Sequence, residues 1–476
     1  MIERRPPRAR GCRRLSGHAP ELAGDTLAFY DRCEREQGGI LWTHVWGLPV
    51  WLVFDPAAIE EVLVRQHRAF AKSVGLRSTV RAFGDGLLTS DRELWRRQRR
   101  IIQPTFQPRR LETYGQAVER AVARLIERIG SDEPRNVHAD VTELCFEALT
   151  QAMFGEDVAR ARGVLAAAAE ALHDFHDHYS RRVGGAGGVA FAAFRRALTR
   201  FGRPDQRVDP TFVPTAHARS FRRVMREIDD FVYELIRHRR RAPGDDTDLV
   251  TLLLAARDEQ GRPLPERQIR DEVVTMFLAG HETGAAAISW TLYLLAQNPA
   301  CQHTLQQELA ARLGDDFPNQ RTTASLPYLK QVLSESLRLY PPAYRITRTC
   351  IRRAEIGGFT IEPGTEVAIS QWSVHRSARY YEAPDEFRPE RWTPELKAAL
   401  PRFAWFPFGG GPRTCIGDAF ALMESGIVVA ALARAFELEP APGATVVPFQ
   451  GVTLLPARNE IRLRLKRRAE ERREVV

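Results

Sequence analysis

Between Pro265 and Pro299 the chain runs for more than thirty residues with a helical period and no internal breaker. Pro265 suits a first helical turn, and Pro299 closes the run after Asn298. Its second half is apolar on nearly every face, so this helix must be buried on all sides. The rest of the chain has to wrap around it. Further helical patterns recur at about 110–130, 139–154, 158–178 and 218–241, and from Pro327 to Tyr340 before Pro341-Pro342. Ser90-Asp91-Arg92-Glu93 reads as a capping box opening another helix. A Gly- and Pro-rich break from Gly184 to Pro214 predicts a loop between two helices. Strand patterns are short: Ile40–Trp42, Val50–Phe54, Glu355–Ile361, Glu366–Ile369, and a closing hairpin over Thr453–Leu465. The fold class expected is mainly α with a minor β region. A single large domain over 31–470 is expected, with a basic segment 1–30 before it and a tail 471–476 after it.

At 476 residues the length alone would allow about three domains, yet no low-complexity linker divides the chain. No run of about 20 uncharged apolar residues is present, so no membrane anchor is expected. Met1–Arg14 is Arg- and Pro-rich with no apolar core, unlike a secretory signal. The net charge is +9, and all but four of the 69 basic residues are Arg, the lysines being Lys72, Lys330, Lys397 and Lys466. These cations are scattered among acids without a nucleic-acid motif, which argues against nucleic-acid binding. Six dispersed cysteines form no disulfide framework and point to a reducing, cytoplasmic compartment. A monomer is expected.

The chemistry centres on Phe408-Gly409-Gly410-Gly411-Pro412-Arg413-Thr414-Cys415-Ile416-Gly417. One cysteine lies in a glycine-rich loop with a cation two residues upstream. No further ligand lies close enough for zinc. The glycines suit a backbone folded tightly around one sulfur, with room for a flat cofactor. Haem iron on a lone thiolate fits. The run resembles the cytochrome P-450 signature Phe-x-x-Gly-x-Arg-x-Cys-x-Gly at Phe408, Gly411, Arg413, Cys415 and Gly417. Lacking an anchor, the chain is similar to the soluble, bacterial-type members.

That resemblance implies the P-450 fold, with haem b between the long central helix and the Cys-loop helix, and Cys415 as its iron ligand. Ala279-Gly280-His281-Glu282-Thr283 matches the family's oxygen-activating pattern: Ala279 and Gly280 leave room for O2, Thr283 supports oxygen activation, and Glu282 relays protons. Gly284 stands where a second Thr is frequent, and is expected to widen or bend the helix. Glu335, Arg338 and Arg391 match a buried structural triad. Trp95, Arg99, Arg348 and Arg413 match propionate contacts. The family's His-Arg-Asp is His375-Arg376-Ser377 here, a departure that concerns local packing. By position, Phe83 and its loop from Thr79, Leu278, Ala279, Ala343, Tyr344 and Val452 are candidate substrate contacts. Their apolar character suggests a lipophilic substrate: a fatty acid, terpenoid, steroid or carotenoid. The activity implied is O2-dependent monooxygenation, with electrons from a separate ferredoxin or flavodoxin and its reductase docking on Arg92, Arg96, Arg97, Arg99, Arg100, Arg109 and Arg110. A peroxide-driven or cyclase-type enzyme, or a silent haem binder, are the alternatives.

Overall fold

The computed structural model describes residues 5–77, 79–130, 132–154, 216–242, 248–258 and 260–468, with short helical fragments between 163 and 197. The expected helix at 158–178 and the break from Gly184 to Pro214 fall almost wholly outside these residues.

The central helix spans Glu266–Gln297, with Pro265 as its N-cap rather than inside the first turn. Its 32 residues make it about 48 Å long. From Ile269 onward nearly every residue is buried, through Trp290 and Leu295. Several neighbouring elements supply this cover. Helix Val137–Phe154 lies along it and in turn carries Pro108–Arg128, while Asp418–Ala435, the helix after the Cys loop, packs against both Pro108–Arg128 and the central helix. Ala216–Arg241 covers another side. The mainly helical expectation holds.

The minor β region is a five-stranded sheet ordered Ile40–Val45, Leu48–Val53, Glu366–Ser370, Arg345–Cys350, Phe70–Lys72. Leu48–Val53 and Glu366–Ser370 pair in parallel, and the other neighbours are antiparallel. Residues before 31 lie against this sheet: Ala9 donates its amide to Trp42 O at 2.9 Å, and His18 to His44 O at 3.1 Å.

Two local expectations are corrected. The helix after Ser90 begins at Arg92 with Asp91 as N-cap, while the Ser90 hydroxyl donates to Gln98 Oε1, so the Ser90–Glu93 capping box does not form. A buried partner outcompeted the local one. The Thr453–Leu465 stretch is not one hairpin either. Leu454–Pro456 pairs with Pro448–Gln450, whereas Arg462–Arg467 pairs with Phe436–Pro440.

Candidate active site

The Cys loop leads into helix Asp418–Ala435. The Cys415 amide donates to Phe408 O at 2.9 Å and the Thr414 amide to Gly411 O at 3.1 Å, folding the chain tightly around the sulfur. Gly411 has φ 70°, and a Cβ there would stand 2.1 Å from Leu63 O. At Gly410 a Cβ would meet Phe403 Cε1 at 2.4 Å. At these two positions the contacts that forbid a side chain are therefore protein, not the cofactor room expected from sequence. Gly417 donates its amide to the Cys415 thiol. Cys415 is itself exposed, yet the protein packed around it raises that thiol and the Asp418 charge adds to this, while the Gly417 amide and the Arg99 charge pull it back. A metal cation is the partner that would hold such a sulfur as thiolate.

Beside the loop the structure gathers cations. Trp95 is buried, and both Arg99 and Arg413 lie over its ring, 6.0 and 5.8 Å from the centroid. Arg99 Nη1 donates to Thr414 O at 2.7 Å, tying helix Arg92–Ile102 to the Cys loop. Arg413 Nη1 donates to Phe70 O at 2.8 Å and Nη2 pairs with Asp91, yet its buried Nε has no hydrogen-bond partner among the described residues. Arg348 faces Lys72 directly across the antiparallel pair Phe70–Lys72 and Arg345–Cys350. Like charges opposed in this way are destabilising. Burial, then Arg413, pulls Arg348 down to about 10, with Asp91 opposing. Burial also drops Lys72 well below its ordinary value, with Asp91 opposing and Arg348 and Arg413 adding to the fall; its Nζ donates to Leu87 O at 2.6 Å. Burial would raise Asp91, but Arg413 and the Lys72 and Arg92 amides win and lower it. The basic side chains of Lys72, Arg348 and Arg413 thus outnumber the one carboxylate they share, Asp91, with Arg99 also at the Trp95 ring. That surplus, and the orphaned Arg413 Nε, fit a flat cofactor bearing two carboxylates, as haem b does.

On the central helix, the Thr283 hydroxyl bonds back to Ala279 O at 2.8 Å. Glu282 Oε2 accepts from the Thr453 hydroxyl at 2.9 Å. A Cβ at Gly280 would stand 2.9 Å from Leu149 Cδ2, so this glycine serves helix packing, and Ala279 is the half-buried small residue beside it. The helix runs unbroken through Gly284; the room there is taken by Glu424 of the Cys-loop helix.

Glu335 and Arg338 are fully buried. Arg338 Nε and Nη2 donate to the two Glu335 oxygens, both at 2.8 Å, and Arg391 Nε donates at 2.9 Å. The carboxylate also accepts from the Arg388 amide and Trp392 Nε1, each at 3.0 Å. All four of its lone-pair directions are used.

The substrate-contact candidates separate. Phe83, Leu278 and Tyr344 are buried in side-chain clusters at 2%, 5% and 2% exposure, and the Tyr344 hydroxyl donates to Gly451 O at 3.1 Å. Ala343 is exposed and Val452 half-buried. Lys72, Asp91, Thr453 and Trp392 were not singled out from sequence. For Lys72 there was a signal: a lysine kept in a chain that otherwise uses Arg.

Among the described residues no helix is long and apolar enough to cross a membrane. The sequence profile described as Cytochrome P450 matches residues 7–463. The chain is 31% identical to cyclooctatin synthase of Streptomyces melanosporofaciens, covering 92% of this chain and 91% of that one. It is likewise 31% identical to cyclooctat-9-en-7-ol 5-monooxygenase of the same organism, over 90% and 91%. With protein LUTEIN DEFICIENT 5, chloroplastic, of Arabidopsis thaliana it shares 30% identity over 83% and 66%. The crystal structure of the cytochrome P450DA heme domain superimposes with a TM-score of 0.81 at 26% identity, covering 98% and 99%. The profile over nearly the whole chain, the monooxygenase among the relatives and the heme-domain structure converge: the chain belongs to the cytochrome P450 family, with haem b as its cofactor and monooxygenation as its chemistry.

Proposed function

We propose that this enzyme oxidises a terpenoid or carotenoid, taking its two electrons from a separate ferredoxin or flavodoxin system. The substrate class rests on the relatives' names, which point to cyclooctatin and lutein, and on the apolar character of Ala343 and Val452 near the hairpin. The observation that carries the oxygenase reading is the acid beside an alcohol at mid-helix, Glu282 held by Thr453 and Thr283 held by Ala279.

In this reading Cys415 is the thiolate ligand, and the folded glycine loop with the Gly417 amide keeps its sulfur in one position. Trp95, Arg99, Arg348 and Arg413 hold the propionates, joined by Lys72. Glu335, Arg338 and Arg391 brace the segments behind the Cys loop. When bound, haem b supplies oxygen activation and insertion into a C–H or C=C bond. Glu282 moves protons toward that chemistry, and Thr283 orients its hydroxyl beside it. Arg92, Arg96 and Arg100 are exposed and, by their spacing on helix Arg92–Ile102, share a face with Arg99, whose guanidinium touches the Cys loop. Arg109, exposed, follows at the start of the next helix, an arrangement that suits docking by an acidic electron carrier.

The test is an absorption-shift titration with isoprenoid alcohols, carotenoids, steroids and fatty acids, followed by turnover with a ferredoxin pair and with peroxide alone. Shifts and product confined to isoprenoids, and dependent on the electron carriers, support the reading. Turnover of fatty acids alone, or full activity with peroxide alone, overturns it. So does a Cys415→Ser variant that keeps the haem-thiolate absorption with carbon monoxide.

A further inference from the structure

The turn joining Pro448–Gln450 to Leu454–Pro456 is fixed on three sides. The Leu454 amide donates to Pro342 O at 2.9 Å, Trp290 Nε1 donates to Leu454 O at 3.1 Å, and the Tyr344 hydroxyl donates to Gly451 O at 3.1 Å. Within this clamp Thr453 is buried at 7% exposure, and its hydroxyl donates to Glu282 Oε2 at 2.9 Å. The two halves of the acid–alcohol pair are thus oriented from different places. Thr283 is held by its own helix through Ala279 O, whereas Glu282 is held from a turn some 170 residues later in the chain.

Thr453, His138 and His281 all bear on the Glu282 carboxylate. Burial lowers His138 to about 4, against the pull of Glu282, and lowers His281 as well. Both imidazoles are therefore neutral at physiological pH. His138 Nδ1 is shared with the Ser289 hydroxyl at 3.0 Å, and His281 Nδ1 with Phe277 O at 2.6 Å. Thr453 donates directly to the carboxylate, and a buried hydrogen bond of this kind fixes the rotamer of the acid.

We propose that Thr453 is a positioning residue for Glu282, setting from the hairpin turn the direction in which the acid presents its carboxylate. The inference rests on the proton-relay role proposed for Glu282. It carries one consequence for substrate. Val452, the half-buried residue that precedes Thr453 in the turn, shares the same rigid clamp, so displacement of the turn by a ligand would move the acid with it.

The test uses the haem-loaded enzyme with NADPH, a plant-type ferredoxin and its reductase. Two readouts are taken: the pH profile and solvent deuterium isotope effect of oxygen consumption, and the infrared carboxylate band of Glu282, identified by its loss in Glu282→Gln. Thr453→Val, nearly equal in volume, is expected to shift that band and slow oxygen consumption roughly tenfold, against about a hundredfold for Glu282→Gln. Thr453→Ser restores both. Thr453→Ala repeats the loss if the valine variant folds poorly. A Thr453→Val enzyme with the parental band and isotope effect overturns the positioning role while Glu282→Gln still shows its defect. A Glu282→Gln enzyme with the parental pH profile and isotope effect overturns instead the relay role on which the inference stands.

Discussion

A Cβ placed on Gly284 would stand 2.5 Å from Glu424 Oε2, so the carboxyl of the Cys-loop helix occupies the notch that the missing side chain leaves in the central helix. Glu424 is buried at 1% exposure, with the Cys145 thiol beside it, and neither oxygen has a hydrogen-bond partner at good geometry among the described residues. In an otherwise unconstrained helix Gly→Ala is stabilising by about 1 kcal/mol. Here Gly284→Ala should destabilise, and the same change in a Glu424→Ala background should stabilise. Chemical denaturation of the four proteins measures the reversal, and additivity of the two changes would count against the contact.

Burial pushes the Glu424 carboxyl up to about 8, far above the ordinary carboxylate range. A group that binds its proton more tightly when folded stabilises the fold most at low pH. That contribution is complete below about 4.5, the ordinary glutamate value, and is lost as pH rises from there through about 8. Glu424→Gln removes the titration. The stability difference between parent and variant should therefore move in favour of the variant from pH 5 to pH 8, by on the order of 2–4 kcal/mol. A pH-independent difference would show that Glu424 ionises normally.

Glu335 holds Arg338, Arg391, Trp392 and the Arg388 amide on one carboxylate. Arg338→Ala or Glu335→Ala strands a buried charge and should cost about 3–5 kcal/mol, with loss of haem incorporation. Trp392→Phe deletes one donor only and should cost about 1 kcal/mol with haem retained. Pyridine-haemochrome content against total protein separates these outcomes. Full haem loading in both alanine variants would remove the triad from its bracing role.

Ser377 takes the place of the acid in the family's His-Arg-Asp, and its hydroxyl donates to Glu34 Oε1 at 2.6 Å. The acid at this place is Glu34, a buried residue of helix Thr26–Glu36. Restoring the family residue alone, Ser377→Asp, sets two carboxylates against each other and should destabilise by about 2 kcal/mol. Ser377→Asp with Glu34→Ser should recover most of that loss. Thermal denaturation of the single and double variants decides it.

The exposed guanidiniums near the Cys loop predict an association rate with an acidic ferredoxin that falls as salt rises across the range where the Debye length shrinks from about 30 to 10 Å. Arg96→Glu and Arg100→Glu together should slow reduction at low salt and leave haem content unchanged. Stopped-flow reduction at several ionic strengths reads the slope, and a flat dependence in the parent would exclude charge-steered docking on this face.

Sequence made legible what is local. Pro265, Pro299 and Pro327 mark helix ends within a residue of where they fall, and Glu335-x-x-Arg338 sits on one turn, so its pairing follows from the period. The Thr283 bond to Ala279 is also a property of one turn. What escaped needed a partner far along the chain. Ser90 reads as a cap until Gln98 claims its hydroxyl. Gly284 reads as a widening of its helix until Glu424 fills it. Lys72 is only one of four lysines until the fold sets it across from Arg348. Ser377 reads as a loss until Glu34 is seen beside it. In each case burial, which only the folded chain supplies, decides which of two polar partners wins.

The pairing of Lys72 with Arg348 also has a bearing on when the enzyme can take up its cofactor. One edge of the cationic pocket is laid down within the first sixth of the chain, and its cross-strand neighbour follows only after the central helix and the triad helix have been made. Arg413 and Cys415 come later still. Closing so wide a loop is slow and carries no reward until both strands are present. Until Cys415 has been made there is nothing to ligate iron, so haem capture waits for the assembly of strands and loop from distant parts of the chain and belongs to a late stage of folding.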